Sequence, residues 1–256
     1  MRLLFLGDVM GRPGREAVRR ELPRLRELHA PDLVVINAEN ASGGVGLAPP
    51  EARELLALGA DVLTGGNHTF RFKELREFMN ADPRVLRPAN YPPGTPGQGL
   101  TVVRTPAGMP VAVCSLLGRV FMEPMDCPFM AADALLTSLN PEIKHILVDF
   151  HAEATSEKQA LAWYLDGRAT LVAGTHTHVQ TSDARILPGG TATITDAGMC
   201  GAPASILGMD PAIIVRKFVT GLPMRFELAK GEGRVQGLVV QTDDATGRAT
   251  AITPIS

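Results

Sequence analysis

Short apolar runs that stop abruptly at polar residues are the feature of this sequence that most narrows its fold. Five occur, at Leu3–Leu6, Leu33–Ile36, Val62–Leu63, Ile146–Val148 and Leu171–Ala173. Each is too short for a helix, and the first, second and fourth are unbroken Val, Ile, Leu and Phe, as in strands covered on both faces. Helical patterns lie between them. Arg15–Leu28 sets Val18, Leu22, Leu25 and Leu28 on one stripe among Arg and Glu. Pro49–Leu58 opens on a Pro pair and stops at Gly59. Phe72–Met79, Ala131–Leu139 and Ser156–Leu165 are further predicted helices, the last with Glu157 and Lys158 near its start. This alternation predicts an α/β fold. Beyond residue 185, Thr191–Thr195, Met224–Leu228, Gly237–Gln241 and Ala249–Ile252 read as antiparallel strands, with a turn at Asp243, Asp244 and Gly247. The expected architecture is two packed sheets with helices outside, the second sheet completed by the C-terminal part. No linker divides residues 1–256, so one domain is expected.

A formal charge of −2 argues against a broad nucleic-acid surface, though not against a phosphate-bearing substrate, because bound metals add charge the count omits. The three cysteines, 114, 127 and 200, form no framework, which suits a reducing compartment. The N-terminal RLLFLGDV reads as a buried strand rather than a signal peptide, and no stretch is long enough to span a bilayer. A cytoplasmic location and no membrane partner are expected.

Each apolar run ends in residues that carry chemistry. The runs lead in turn to Asp8, to Glu39 and Asn40, to Asn67 and His68, to His151, and to His176 and His178. Strand carboxyl ends converge on one edge of a parallel or mixed sheet, so these side chains are expected to meet there. Of the six histidines, four lie in these turns, and only His29 and His145 read as helix-end or surface residues. A lone histidine is more often structural, but four of them with carboxylates and amides suit Zn, Fe or Mn. Asp8 has a plainer reading as a helix cap and Asn40 as a turn residue, and Asn37 is read as structural. The HxH pair is expected on an extended segment, with both rings on one face.

The candidate metal ligands are Asp8, Glu39, Asn40, Asn67, His151, His176 and His178. They exceed the four donors of a typical single zinc site, which suggests two ions with Glu39 as a bridge. Such a pair activates a bridging hydroxide for in-line displacement at phosphorus, and His68, beside Asn67, is the available proton donor.

At these residues the chain resembles the YmdB-like metallophosphoesterases of the calcineurin-like superfamily. The matching segments are GDVMGRPGR, NAENASGG, GGNH, RPANYPPGTPG, GRVFMEPMDCPF, DFHAEATSEK, GTHTHVQTSD and TDAGMCG with SILGMD. The resemblance implies a four-layer α/β/β/α sandwich of two mixed sheets with two divalent or trivalent metal ions, Fe or Mn first and Zn as a further choice. It assigns Asp8, Glu39, Asn40 and His178 to one ion, with Glu39 bridging to a second held by Asn67, His151 and His176, and makes His68 the acid. The implied reaction is hydrolysis of 2′,3′-cyclic nucleotides to 3′-nucleotides. Phe70-Arg71 stands where relatives often have Trp-Asp, and Cys200 where Thr is common. The partners expected are a small phosphodiester, a cyclic nucleotide first, then short RNA, and a homo-oligomeric assembly. The competing readings are a nucleotide- or RNA-sensing regulator with low turnover and a non-phosphoester metallohydrolase.

Overall fold

A computed structural model describes residues 1–256. The chain runs β1 (Arg2–Leu6), β2 (Asp8–Val9), α1 (Gly11–His29), β3 (Leu33–Asn37), α2 (Pro49–Ala57), β4 (Val62–Thr64) and α3 (Glu74–Ala81). It continues through β5 (Leu100–Arg104), β6 (Pro110–Leu117), α4 (Pro128–Ser138), β7 (His145–His151), α5 (Thr155–Tyr164) and β8 (Leu171–Thr175). The last part holds β9 (Arg185–Ile186), β10 (Ala192–Ile194), β11 (Met199–Cys200), α6 (Pro211–Thr220), β12 (Gly237–Thr242) and β13 (Ala249–Ile255).

Two sheets form, ordered β13-β12-β1-β3-β4 and β5-β6-β7-β8-β10-β9, and a short ladder joins β2 to β11. Period-2 alternation builds the layers. Leu4, Leu6, Val34 and Ile36 face Val18, Leu22, Leu55 and Leu75 of α1–α3. The alternate residues Leu3, Phe5, Leu33 and Val35 pack across the molecule on Val111, Val113, Leu147 and Leu171. On the far side, Cys114, Leu116, Val148 and Phe150 meet Ala132 of α4 and Leu161 of α5. These three apolar interfaces separate four layers, α/β/β/α, and explain why the strand runs lack polar breaks.

Several expectations need correction. The C-terminal hairpin completes the first sheet rather than the second, because β12 pairs antiparallel with the free edge of β1, from Arg2 opposite Gln241 to Leu6 opposite Gly237. β10 pairs antiparallel with β9, as expected of the strands after residue 185, but runs parallel to β8 on its other side. Met224–Leu228 forms no strand; only Leu228 makes a bridge, to Met209, and Arg225, Phe226 and Glu227 stay exposed. His145 is buried at the start of β7 rather than on the surface, and burial lowers its pKa, which favours the neutral ring. The helix α6 carries a legible signal, Asp210 as cap, Pro211 at the first turn and Gly221 in the left-handed conformation at its end.

Candidate metal centre

The strand ends bring the ligand-type side chains into one buried cluster. His151 Nε2 lies 3.0 Å from His176 Nδ1, 3.1 Å from Glu39 Oε1 and 3.1 Å from Asn67 Oδ1. Beside this group, His178 Nε2 stands 3.7 Å from Asp8 Oδ1 and 3.4 Å from Asn40 Nδ2. Glu39 connects the two halves, since Asn40 Nδ2 donates to its Oε1 at 2.9 Å. His68 sits at the rim, about one-third exposed, with Nδ1 2.8 Å from Asn40 Oδ1 and 3.2 Å from Glu39 Oε1.

The outer partners place a proton on the outer nitrogen of each ring. Thr175 Oγ1 donates to Asp149 Oδ1 at 2.7 Å, so it is free to accept at 2.9 Å from His151 Nδ1–H. His178 Nδ1–H donates to Leu207 O at 3.1 Å. His176 Nε2 faces Glu153 Oε2 at 3.1 Å. With those nitrogens committed as donors, His151 Nε2, His176 Nδ1 and His178 Nε2 are the nitrogens turned inward, free to bind a metal ion once His151 gives up its second proton. Two imidazole nitrogens, an amide oxygen and a carboxylate oxygen about 3 Å apart repel unless a cation lies among them, either a metal ion or a proton on His151 Nε2. Asp8 Oδ1, fully buried and without a partner, adds another unsatisfied acceptor. Glu39, His151 and His176 therefore form a cluster able to hold a metal ion.

Backbone geometry carries these side chains. His176 and His178 both have positive φ, 93° and 63°, so the HTH segment is kinked rather than extended. The kink sends His176 toward His151 and His178 toward Asp8, and the one-face expectation is corrected accordingly. Asp8 does not cap α1. Met10 occupies that position, and Asp8 Oδ2 accepts the His176 amide at 3.1 Å instead. Gly66 must lack a side chain, because a Cβ there would stand 2.2 Å from Glu39 Oε2 and 2.4 Å from the His151 ring.

The charges are strongly coupled. Burial resists ionisation of Glu39, but His151 and His68 outweigh it and hold its carboxyl well below the usual range. Burial likewise opposes charge on His151, yet Glu39, Asp8 and Asp149 push its pKa up to about 9. His176 falls to about 3 through burial and the neighbouring His151. Asp8 is raised by burial, against the pull of His178 and His151. Asp149 is raised by burial to about 6, although Thr64, Thr175 and Asn37 all donate to it.

Asn37, read as structural, accepts the Glu39 amide on its Oδ1 and donates Nδ2 to Asp149. Three supporting groups were not singled out in the sequence. Asp149 and Glu153 flank His151 in DFHAE, and Asp196 belongs to TDAG. Asp196 Oδ2 accepts the Thr177 amide at 3.0 Å and Lys158 Nζ at 2.9 Å, clamping the kinked HTH segment. Glu157 accepts the Arg119 and Val120 amides, so the paired Glu157-Lys158 at the start of α5 ties two loops. For Asp149 and Glu153 the available signal is their place two residues either side of His151, and for Asp196 it is the TDAGMCG segment that carries the family resemblance.

The model for YmdB-like proteins matches residues 4–255 of the chain. The chain belongs to the YmdB-like family. It is 50% identical over 252 residues to the 2′,3′-cyclic-nucleotide 2′-phosphodiesterase of Bacillus subtilis, covering 98% of this chain and 95% of that protein. It is 36% identical over 251 residues to a putative phosphatase/phosphodiesterase of Mycoplasma pneumoniae, covering 95% and 88%. Among solved structures, a hypothetical protein from Thermus thermophilus superposes with a TM-score of 0.93 at 44% identity, covering 100% of this chain and 98% of that one. A novel phosphatase from Mycoplasma pneumoniae gives a TM-score of 0.93 at 34% identity, covering 100% and 92%. This YmdB-like chain therefore shares the α/β sandwich of a phosphatase as well as the family's sequence.

Proposed function

We propose that this protein is a dinuclear metal-dependent phosphodiesterase that opens 2′,3′-cyclic nucleotides at the 2′ ester and leaves 3′-nucleotides. The observation that carries the reading is the convergence of inward ligand atoms around Glu39, with the outer nitrogen of each histidine already committed to a partner. Asp8, Glu39, Asn40 and His178 would hold one ion, and Asn67, His151 and His176, with Glu39 shared, the other. Mixed imidazole, amide and carboxylate donors suit Fe or Mn, with Zn as the competitor. When bound, the ions supply a water pKa lowered from about 15.7 toward about 7 and positive charge against the phosphoryl oxygens.

The chain's own residues do the rest. Asn40 turns its Nδ2 toward His178 and its Oδ1 toward His68. A half-turn of that amide presents the oxygen as a ligand and directs Nδ2–H at His68 Nδ1. The proton then resides on His68 Nε2, at the exposed rim, where it reaches the departing 2′ oxygen. Glu39 Oε2 accepts the His68 amide at 3.0 Å and so fixes the distance between ligand cluster and acid. The reading includes a single domain over residues 1–256, a cytoplasmic location, short RNA as a further ligand and self-association. No helix is long and apolar enough to cross a membrane.

The test is metal analysis of the purified protein, followed by hydrolysis of 2′,3′-cAMP with the product identified. The expected product is 3′-AMP, and His68→Ala should lower kcat by about 10²- to 10⁴-fold. Faster turnover of amides or lactones than of phosphodiesters would refute the reading.

A further inference from the structure

An apolar cleft of about 380 Å³ opens beside the ligand cluster, a size within the range of small-molecule sites. Its near side is the ligand group, with Glu39, His68 and His178. Its far wall is α6 with the adjoining segment on its C-terminal side. Ile214, Lys217 and Phe218 share one stripe of that helix, spaced i, i+3 and i+4. Ile214 is buried and seats the helix, whereas Phe218, on the same stripe, is 80% exposed. Lys217 Nζ is held 4.5 Å from the centroid of Phe226, so an ammonium and an aromatic ring stand together in the cleft.

This wall is bonded to the metal ligands rather than floating near them. Leu207, whose carbonyl accepts from His178 Nδ1, lies in a tight turn with φ 52°. Gly208 O accepts the Ala229 amide at 2.9 Å, and Glu227 O accepts the Asp210 amide at 2.9 Å. Asp210 then caps α6. Lys217, Phe218 and Phe226 therefore line the same cleft as the ligand cluster, on a wall tied to His178 through Leu207.

We propose that this wall is a nucleobase subsite, with Phe218 as the stacking platform and Lys217 as donor to the acceptor atoms of the base. It rests on the phosphodiesterase reading, since the base is what a cyclic nucleotide carries away from its phosphate. The occupant has apolar faces and a polar edge, matching an open aromatic ring beside a cation. A second copy of the chain would instead cover Val215, Val219 and Leu222, which are exposed but do not line the cleft. Stacking tolerates any base, so discrimination falls between substrates with and without a base, and little among the four bases.

The experiment compares kcat/KM of the manganese-loaded full chain for 2′,3′-cAMP and for glycerol 1,2-cyclic phosphate, which has no base. In parallel, calorimetry measures binding of 3′-AMP and ribose 3-phosphate. Phe218→Ala is expected to lower the cAMP-to-glycerol ratio by about 5- to 100-fold and to weaken 3′-AMP binding by a similar factor. Phe218→Trp should restore both, and Val219→Ala should leave the ratio as it is. Because Phe218 is so exposed, its loss does not threaten folding. An unchanged ratio in Phe218→Ala, or a fall in oligomeric mass by light scattering with no change in the ratio, overturns the subsite. If the wild type cleaves neither ester, the phosphodiesterase reading fails. Binding alone then decides: Phe218-dependent capture of 3′-AMP upholds the subsite, and Phe218-independent capture overturns it.

Discussion

Replacing Lys158 by Met tests how the kinked ligand segment is held. The Lys158 side chain is 2% exposed and that of Asp196 is 0%, and they meet at 2.9 Å. Lys158 Nζ also donates to Thr177 Oγ1 at 2.9 Å. Met fills much of the same volume without the charge, so the loss is chiefly electrostatic. It leaves Asp196 buried with hydrogen bonds from the Thr177 amide, the Thr177 hydroxyl and the Gly198 amide. Removing one partner of a buried pair costs about 3–5 kcal/mol, and those three remaining donors place this case near the lower figure. Asp196→Asn, which leaves Lys158 unpaired, should cost a similar ~3 kcal/mol. The double variant has no orphaned charge and should cost no more than either single, giving a coupling of roughly 3 kcal/mol. Urea unfolding of the metal-free proteins, followed by circular dichroism, measures all four corners without the stabilisation that bound metal adds. With an m-value of about 3 kcal/mol per molar, each single variant should shift the midpoint by about 1 M. Single costs below about 0.5 kcal/mol, or a double equal to their sum, would refute the reasoning. The Lys158→Met protein should also bind Mn more weakly, because Thr177 stands between His176 and His178.

Other outcomes arise from the same geometry. Gly66→Ala drives a Cβ into Glu39 and His151, so it should abolish stoichiometric metal content by elemental analysis while leaving the far-UV spectrum native. In the metal-free protein, His151 is protonated up to about 9. Metal binding at pH 7 should therefore release about one proton, and affinity should fall by about tenfold per pH unit on acidification, as calorimetry in buffers of differing ionisation enthalpy would show. The same upward shift from 6.5 means that His151 stabilises the metal-free fold fully below about pH 6.5 and ceases to do so as pH rises through about 9; an equal Tm at pH 7 and pH 10 would contradict this. Burial pushes the Cys114 and Cys200 thiols up to about 12. Iodoacetamide at pH 8 should thus label only the half-buried Cys127 in the native protein, read by mass spectrometry.

The amino-acid sequence by itself determined the α/β class, the buried strands and the kinds of side chain at their ends. Runs such as Leu33–Ile36 are local signals, and an apolar strand covered on both faces admits few other readings. The turn residues at their carboxyl ends, from Asp8 to His178, are equally local. Tertiary structure decided the rest, because it depends on partners far apart in the chain. The hairpin of β12 and β13 joined β1 rather than the second sheet through pairing across more than 230 residues, as Leu6 opposite Gly237 illustrates. His176 and His178 diverge because positive φ at both is sustained by Asp8, Asp196 and Leu207, none of them near in sequence. The proton on each ring's outer nitrogen is likewise invisible in the string of letters, being fixed by Thr175, Glu153 and Leu207 only once the strands stand side by side. Residue type is written locally, but orientation and protonation are set by neighbours that only folding brings within hydrogen-bond reach.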